Sequence, residues 1–301
     1  MTYKQAHDAL LAKLLPLYED LSEAKSVCRV FFEDAFGISS VFLAGDFPAH
    51  ELERLQQLSD QLLRGTPVQY VVGKSFFYGL ELAIGPGALI PRPETEELVE
   101  WVIERAHRQH PRGRGLHFMD VGTGSGCISI VLKKQLPECT VTALDISPEA
   151  LRWAKSNAAK HGVAIEFIET DLFRREDWER LPRVDFVVSN PPYVLEGDRS
   201  QMHSRVLCFE PATALFVPDA DPLRFYKELT ILAESRLKAA GWLFVEGHHA
   251  YIEEVAGLWS GMSWQSASWR HDLSGLPRLA AAQRSKVAHS PLTDKIDQHF
   301  I

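Results

Sequence analysis

Leu116-His117-Phe118-Met119-Asp120-Val121-Gly122-Thr123-Gly124-Ser125-Gly126 is the stretch on which the fold turns. Its first six residues read as a strand and the next five as a glycine-rich turn; 127–135 reads as a helix. A turn of this kind lets a ligand approach backbone N–H groups at a helix N-terminus. The next strand, 140–144, ends in Asp145. A carboxylate at that position can accept both hydroxyls of a ribose. The glycine spacing is compact, GxGxG, and lacks the third glycine that the dinucleotide fingerprint carries, which disfavours NAD.

Outward from this unit the strand–helix alternation continues. A helix is predicted over 148–160 with Pro148 at its start, and a strand over 165–168 followed by Asp171. Further strands are predicted over 184–188 and 242–246, with a helix over 223–239 between them. A helix to about Trp259 and two last strands near 263–270 and 277–284 complete the pattern. It predicts an α/β fold, a doubly wound sheet of seven strands.

The strand at 184–188 runs into Val188-Ser189-Asn190-Pro191-Pro192-Tyr193. Neither proline has an N–H to donate, so the ladder stops there. Asn190 is thereby held in a stiff turn at the carboxyl end of a strand, the edge where open α/β sheets bind ligands. Its amide offers one acceptor and two donors in fixed positions, and Tyr193 adds a flat face. Such a set suits a planar group carrying an NH2, an amide or the amino edge of a base. A proline-rich turn with a capping Asn would read the same way on local grounds.

Residues 1–65 read as three short amphipathic helices. Leu10, Leu11, Leu14 and Leu15 share a face; Ser22 is the expected cap of the second helix and Gly37 its end; Pro48 opens the third, with Gly65 past its end. The period then changes, and strands are predicted over 68–72, 75–77 and 80–84, the last two joined at Gly79. Pro91-Arg92-Pro93-Glu94-Thr95-Glu96 precedes a helix predicted from Glu97 to about His110. The expected organisation is a helical docking domain over 1–66, a β-hairpin linker over 67–90, a catalytic domain over 91–284 and a polar tail over 285–301.

The formal net charge of −8 over 301 residues argues against a chain that wraps nucleic acid. Residues 1–80 hold seven Lys/Arg against ten Asp/Glu, a net charge of −3. Cys28, Cys127, Cys139 and Cys208 lack paired spacing and read as free thiols, with no metal site. The N-terminus carries no basic-then-apolar leader, and no apolar run approaches the ~20 residues that span a bilayer. A cytoplasmic location without membrane contact is the expectation.

These motifs carry a resemblance. Residues 116–284 resemble a class I, Rossmann-like S-adenosylmethionine-dependent methyltransferase, and Asn190-Pro191-Pro192-Tyr193 resembles the motif of the enzymes that methylate exocyclic amines or side-chain amides. Gly65-Thr66-Pro67-Val68-Gln69-Tyr70, Phe77-Tyr78-Gly79-Leu80 and Gly85 to Glu96 are similar to the peptide chain release factor glutamine N5-methyltransferases. The resemblance implies methyl transfer from S-adenosyl-L-methionine, with S-adenosyl-L-homocysteine as product, to the glutamine of the Gly-Gly-Gln loop of release factors. By the same resemblance Gly122, Thr123, Gly124, Ser125 and Gly126 cradle the methionine part, Asp145 binds ribose, and Asp171 and Leu172 lie at adenine, with Asn190 also near the cofactor. Asn190 and the Pro191 carbonyl accept from the substrate NH2, Tyr193 stacks on its plane, and Pro192, Arg92 and Glu94 join the substrate contacts. The chain departs from the family pattern at Leu172, where an aromatic is common, and at 216–221, where a glycine-rich run is common. The rival readings are glutamine methylation of a ribosomal protein, DNA adenine N6-methylation, and an idle fold that only senses the cofactor. The acidic charge speaks against a DNA substrate, and the intact Asn190–Tyr193 motif against the sensor.

Overall fold

The computed structural model describes residues 1–18, 20–39 and 45–286. The N-terminal helices are set by their caps. Helix α1 (Tyr3–Leu14) opens with a capping box, Thr2 accepting from the Gln5 N–H and Gln5 from the Thr2 N–H. Helix α2 (Leu21–Phe36) is capped by Asp20, not by Ser22; the Asp20 carboxylate accepts the Ser22 N–H at 2.8 Å. Gly37, in the left-handed region at φ +68°, ends it as anticipated. Helix α3 (Leu52–Leu63) follows a 3-10 turn that Pro48 opens.

The strand anticipated over 68–72 is instead a helical turn, α4 (Val68–Val72). The Pro67 carbonyl accepts the N–H groups of Tyr70 and Val71, and left-handed Gly73 stops the turn. Val68 and Val71 enter the same apolar cluster as Leu10, Phe31 and Leu62. Tyr70 packs with Ile84 and Ala88 instead, and its hydroxyl donates to the Ala88 carbonyl at 2.6 Å. Burial of both sides of one turn outweighs the β preference of its valines. Strands β1 (Lys74–Phe77) and β2 (Leu80–Ala83) form the anticipated hairpin. Tyr78 and Gly79 both have positive φ there, as a two-residue hairpin loop requires.

Helix α5 (Pro93–Gln109) starts four residues before the anticipated Glu97. Pro93 occupies the first turn, where its missing N–H has no helical partner to lose, and Glu94 and Glu96 face the positive end of the helix dipole. The early start puts Thr95 inside the helix, on its buried side.

The remaining chain builds the sheet. In order come β3 (His117–Val121), α6 (Cys127–Gln135), β4 (Thr140–Asp145), α7 (Pro148–Lys160), β5 (Glu166–Glu169) and β6 (Val184–Ser189). A short parallel pair follows, β7 (Val194–Leu195) and β8 (Phe216–Val217), with α8 (Ser204–Phe209) between them. Then come α9 (Arg224–Arg236), β9 (Leu237–Glu246), α10 (Ile252–Gly257), β10 (Trp264–His271) and β11 (Pro277–Arg284). Helix α9 is shorter and β9 longer than anticipated. The extra strand residues are taken up by an irregular register against β6, with Ala240 at φ +62°.

The seven-stranded sheet has the order β10-β11-β9-β6-β3-β4-β5. Strands β9, β6, β3, β4 and β5 are parallel; β11 pairs antiparallel with both β9 and β10, so β11 alone is reversed and β10 runs in the direction of the other five. The chain winds from β3 through β4 to β5, then returns to place β6 on the other side of β3. That reversal opens a crevice at the carboxyl ends, where doubly wound sheets bind ligands. Side chains alternate between the two faces. Phe118, Phe186 and Phe244 meet α5 and α6 on one face. Met119, Val187, Leu243 and Val245 meet α9 and α10 on the other.

Among the described residues no helix is long and apolar enough to cross a membrane. The tail anticipated over 285–301 lies, beyond Lys286, outside the described residues.

Candidate active site

Strand register aligns the site. Val121 pairs with both Leu144 and Ser189, and Ser189 pairs with Val245. One residue further along each strand come Gly122, Asp145, Asn190 and Glu246, a row across the carboxyl ends of four adjacent strands. A cavity of about 370 Å³ opens over Gly122, Asp145 and Asn190 of this row, lined mostly by apolar groups. Its size lies in the range of small-molecule and cofactor pockets. Gly122, Gly124, Asp145, Asp171, Leu172, Asn190, Pro191 and Pro192 line it, so eight of the residues singled out in the sequence share one cavity wall.

The glycine loop is built by its own backbone. The N–H groups of Gly122 and Thr123 both donate to the Leu144 carbonyl, and the Gly124 N–H donates to Asp145 Oδ2 at 2.8 Å. Gly122, Gly124 and Gly126 all have positive φ. A Cβ added to Gly122 or Gly124 would meet nothing within 4 Å, whereas one on Gly126 would lie 3.1 Å from Ala154. The first two glycines therefore leave open space, and the third permits close packing of α6 on α7. The side chains of Thr123 and Ser125 are buried and, with Gly126, lie outside the lining. Thr123 donates to Asp120 Oδ2 at 2.6 Å, as does Ser129 at 2.7 Å. These residues hold the loop's shape. Burial pushes the Asp120 carboxyl up to about 6, against the lowering effect of those donors.

The donors and surfaces fit a nucleoside cofactor. Asp145 accepts from Gly124 and, through Oδ1, from the Ser147 N–H at 2.9 Å. Each oxygen keeps a lone pair for a ribose hydroxyl. Burial raises its pKa, and the two N–H donors oppose that shift. Ile146, Leu172 and Phe173 offer apolar surface beside Asp171. The aromatic missing at Leu172 stands one position later, at Phe173, whose ring is packed edge-on by Phe225 and covered by the Arg224 guanidinium.

Asn190 is held from one side. Its Nδ2 donates to Thr95 Oγ1 at 3.0 Å, and Thr95 donates to Glu246 Oε2 at 2.6 Å. Among the described residues no donor meets Asn190 Oδ1, which is left as a free acceptor at the cavity. Tyr193 lies outside the lining, its hydroxyl donating to Glu246 Oε1 at 3.1 Å. Burial and the neighbouring Glu246 charge raise the Tyr193 pKa.

Arg92 and Glu94 also lie outside the lining. Arg92 pairs at 2.7 Å with Glu210, a nearly buried carboxylate that also accepts the Ile90 N–H. The pair clamps the segment carrying Ala88 and Leu89 to the one carrying Pro211 and Thr213, and both segments line the cavity. Glu94 precedes Thr95 in the first turn of α5. Thr95, Glu246, Glu210 and Phe173 were not among the residues singled out in the sequence. The Thr95 position lay inside a motif, Pro91–Glu96, and Glu210 at the head of the stretch 210–215 that precedes the departure at 216–221.

The methyltransferase small domain profile matches residues 106–217. A release factor glutamine methyltransferase from Flavobacterium psychrophilum is 40% identical over 219 residues, covering 73% of this chain and 76% of its own. The protein of that name from Bacteroides thetaiotaomicron is 35% identical over 266 residues, covering 87% and 93%. That from Koribacter versatilis is 34% identical over 288 residues, covering 94% and 99%.

Proposed function

The chain belongs to the release factor glutamine methyltransferase family, and from that premise we propose that it methylates the N5 side-chain amide nitrogen of the glutamine in the Gly-Gly-Gln loop of peptide chain release factors. The observation that carries the reading is the polarity of Asn190, whose Nδ2 donates to Thr95 Oγ1 and whose Oδ1 meets no donor among the described residues. The proposed cofactor is S-adenosyl-L-methionine, held by Gly122 and Gly124 of the glycine loop, Asp145 and the apolar surface of Leu172 and Phe173. When bound it supplies an electrophilic methyl on a sulfonium sulfur and leaves as S-adenosyl-L-homocysteine.

The chain's own task is to make an amide nitrogen reactive. That nitrogen is a poor nucleophile because its lone pair is delocalised into the carbonyl. Asn190 Oδ1 and the Pro191 carbonyl accept its two hydrogens and favour a pyramidal nitrogen with a localised lone pair. Pro191 and Pro192 keep both acceptors stiff, so little reorganisation is left to the reaction. Tyr193, outside the cavity lining, steadies the motif through its hydroxyl on Glu246 Oε1, and the apolar lining excludes competing water. Glycines flanking the glutamine suit a narrow approach, since they carry no side chain to clash. The N-terminal helical module is assigned to docking the protein substrate.

Labelled methyl transfer to three candidates tests the reading: a release factor, a ribosomal protein and duplex DNA. Label on the release factor is the expected result. Label on the ribosomal protein or the DNA, with none on the release factor, overturns it.

A further inference from the structure

We propose that Glu246 is a positioning residue, whose carboxylate, acting through Thr95, dictates which end of the Asn190 amide faces the substrate. The inference rests on the proposed role of Asn190. An ionised carboxylate only accepts hydrogen bonds. Glu246 Oε2 lies 2.6 Å from Thr95 Oγ1, so the one hydroxyl hydrogen of Thr95 goes to Glu246. The Thr95 oxygen can then only accept, and at 3.0 Å it accepts from Asn190 Nδ2. Asn190 Oδ1 is thereby turned to the cavity, where a substrate NH2 needs an acceptor. The other carboxylate oxygen takes the Tyr193 hydroxyl at 3.1 Å. One wholly buried side chain thus orders two members of the Asn190–Tyr193 motif.

A protonated Glu246 reverses the chain. It can donate to Thr95, the Thr95 hydroxyl can donate to Asn190 Oδ1, and an NH2 then confronts the substrate NH2. The groups facing Glu246 are Thr95 and Glu94 on α5, Cys127 on α6, Tyr193 after β6, Tyr226 on α9 and Arg278 on β11. Arg278 is itself paired with Asp272 at 3.2 Å. Burial pushes the Glu246 carboxyl up to about 7, so the reversal falls within reach of ordinary buffers. His248, whose ring centre lies 6.5 Å from that of Tyr193, titrates below its usual value because of burial.

The chain has only two asparagines, Asn157 and Asn190. Asn157 is fully buried and donates to the carbonyls of Ala83 and Ser125. Asparagine-selective 15N labelling of the full protein therefore gives two side-chain NH2 signals, one of them an internal reference. The Asn190 signal is expected to shift with pH through a midpoint near 7. In Glu246→Gln that midpoint should vanish while the Asn157 signal stays in place. This readout needs no substrate, so it stands or falls apart from the assigned function. In the transfer assay, Glu246→Gln should lower kcat by about 10- to 100-fold at pH 8, the scale for a residue that orients a contacting group. Its KM for S-adenosylmethionine should hold, and the acid limb of the wild-type profile should disappear. Thr95→Val should match that loss, whereas Thr95→Ser, which keeps the hydroxyl, should lose no more than about threefold. An Asn190 signal that titrates identically in wild type and Glu246→Gln overturns the inference. So does a Thr95→Val enzyme as active as Thr95→Ser.

Discussion

In the proposed reaction Asn190 acts through Oδ1, which meets no hydrogen-bond donor among the described residues. Asn190→Ala should leave S-adenosylmethionine affinity nearly intact and cut turnover by about a hundredfold or more, as for loss of one preorganised polar group. Calorimetry and single-turnover kinetics check the two halves, and near-normal turnover would remove Asn190 from its assigned role. The residues legible in the sequence were those that carry local punctuation. Gly122 and Gly124 stood in a glycine run, Asp145 at a strand end, and Asn190 before two prolines. Glu246 and Thr95 carry no such mark. They are 151 positions apart, and their contact arises because α5 begins at Pro93 and packs against the end of β9. Arg92 was conspicuous between its prolines, but its partner Glu210 lies 118 positions away. Phe173 was passed over because the aromatic stands one place beyond where the family pattern sets it.

The elements divide the glycine loop into two functions. Gly124→Ala puts a methyl into open space beside the cavity. It should cost about 1–2 kcal/mol of stability for the left-handed backbone and weaken S-adenosylmethionine binding by about tenfold or more, as overpacking does. Gly126→Ala brings its methyl within 3.1 Å of Ala154 and 3.2 Å of Ile130. Its main effect should be on stability, larger than that of Gly124→Ala because the clash adds to the strain. Thermal unfolding and calorimetry separate the two, and the opposite ranking would contradict the division. Most strands and helices of the sheet were readable because burial on both faces gives long apolar runs. The turn at Val68–Val72 was misread, since three valines look like a strand and only tertiary packing makes them helical. The start of α5 was placed late, since two prolines and two acidic residues read more simply as its approach than as its first turn.

For the whole molecule, the question is how a large protein substrate meets a small cavity. The N-terminal helices have their own apolar cluster. They join the sheet domain through Tyr70 on the Ala88 carbonyl and through Arg205, which lies 3.4 Å from the Tyr18 ring centre. A chain shortened to begin at Gly73 should still bind S-adenosylmethionine but lose most transfer to a folded release factor, while retaining more on a short Gly-Gly-Gln peptide. Full-rate methylation of the folded substrate by the shortened, folded chain would give the module another task. The net charge of −8 fits a protein partner better than a polyanion. The proposed function turns on the identity of the accepting atom, and mass spectrometry of the product reads it directly. A release factor is incubated with the full-length enzyme and S-adenosylmethionine, digested, and its methylated peptide fragmented in the mass spectrometer. The expected product carries a single added methyl on the side-chain amide nitrogen of the Gly-Gly-Gln glutamine; a methyl on any other residue, with that glutamine unmodified, would contradict the proposed function.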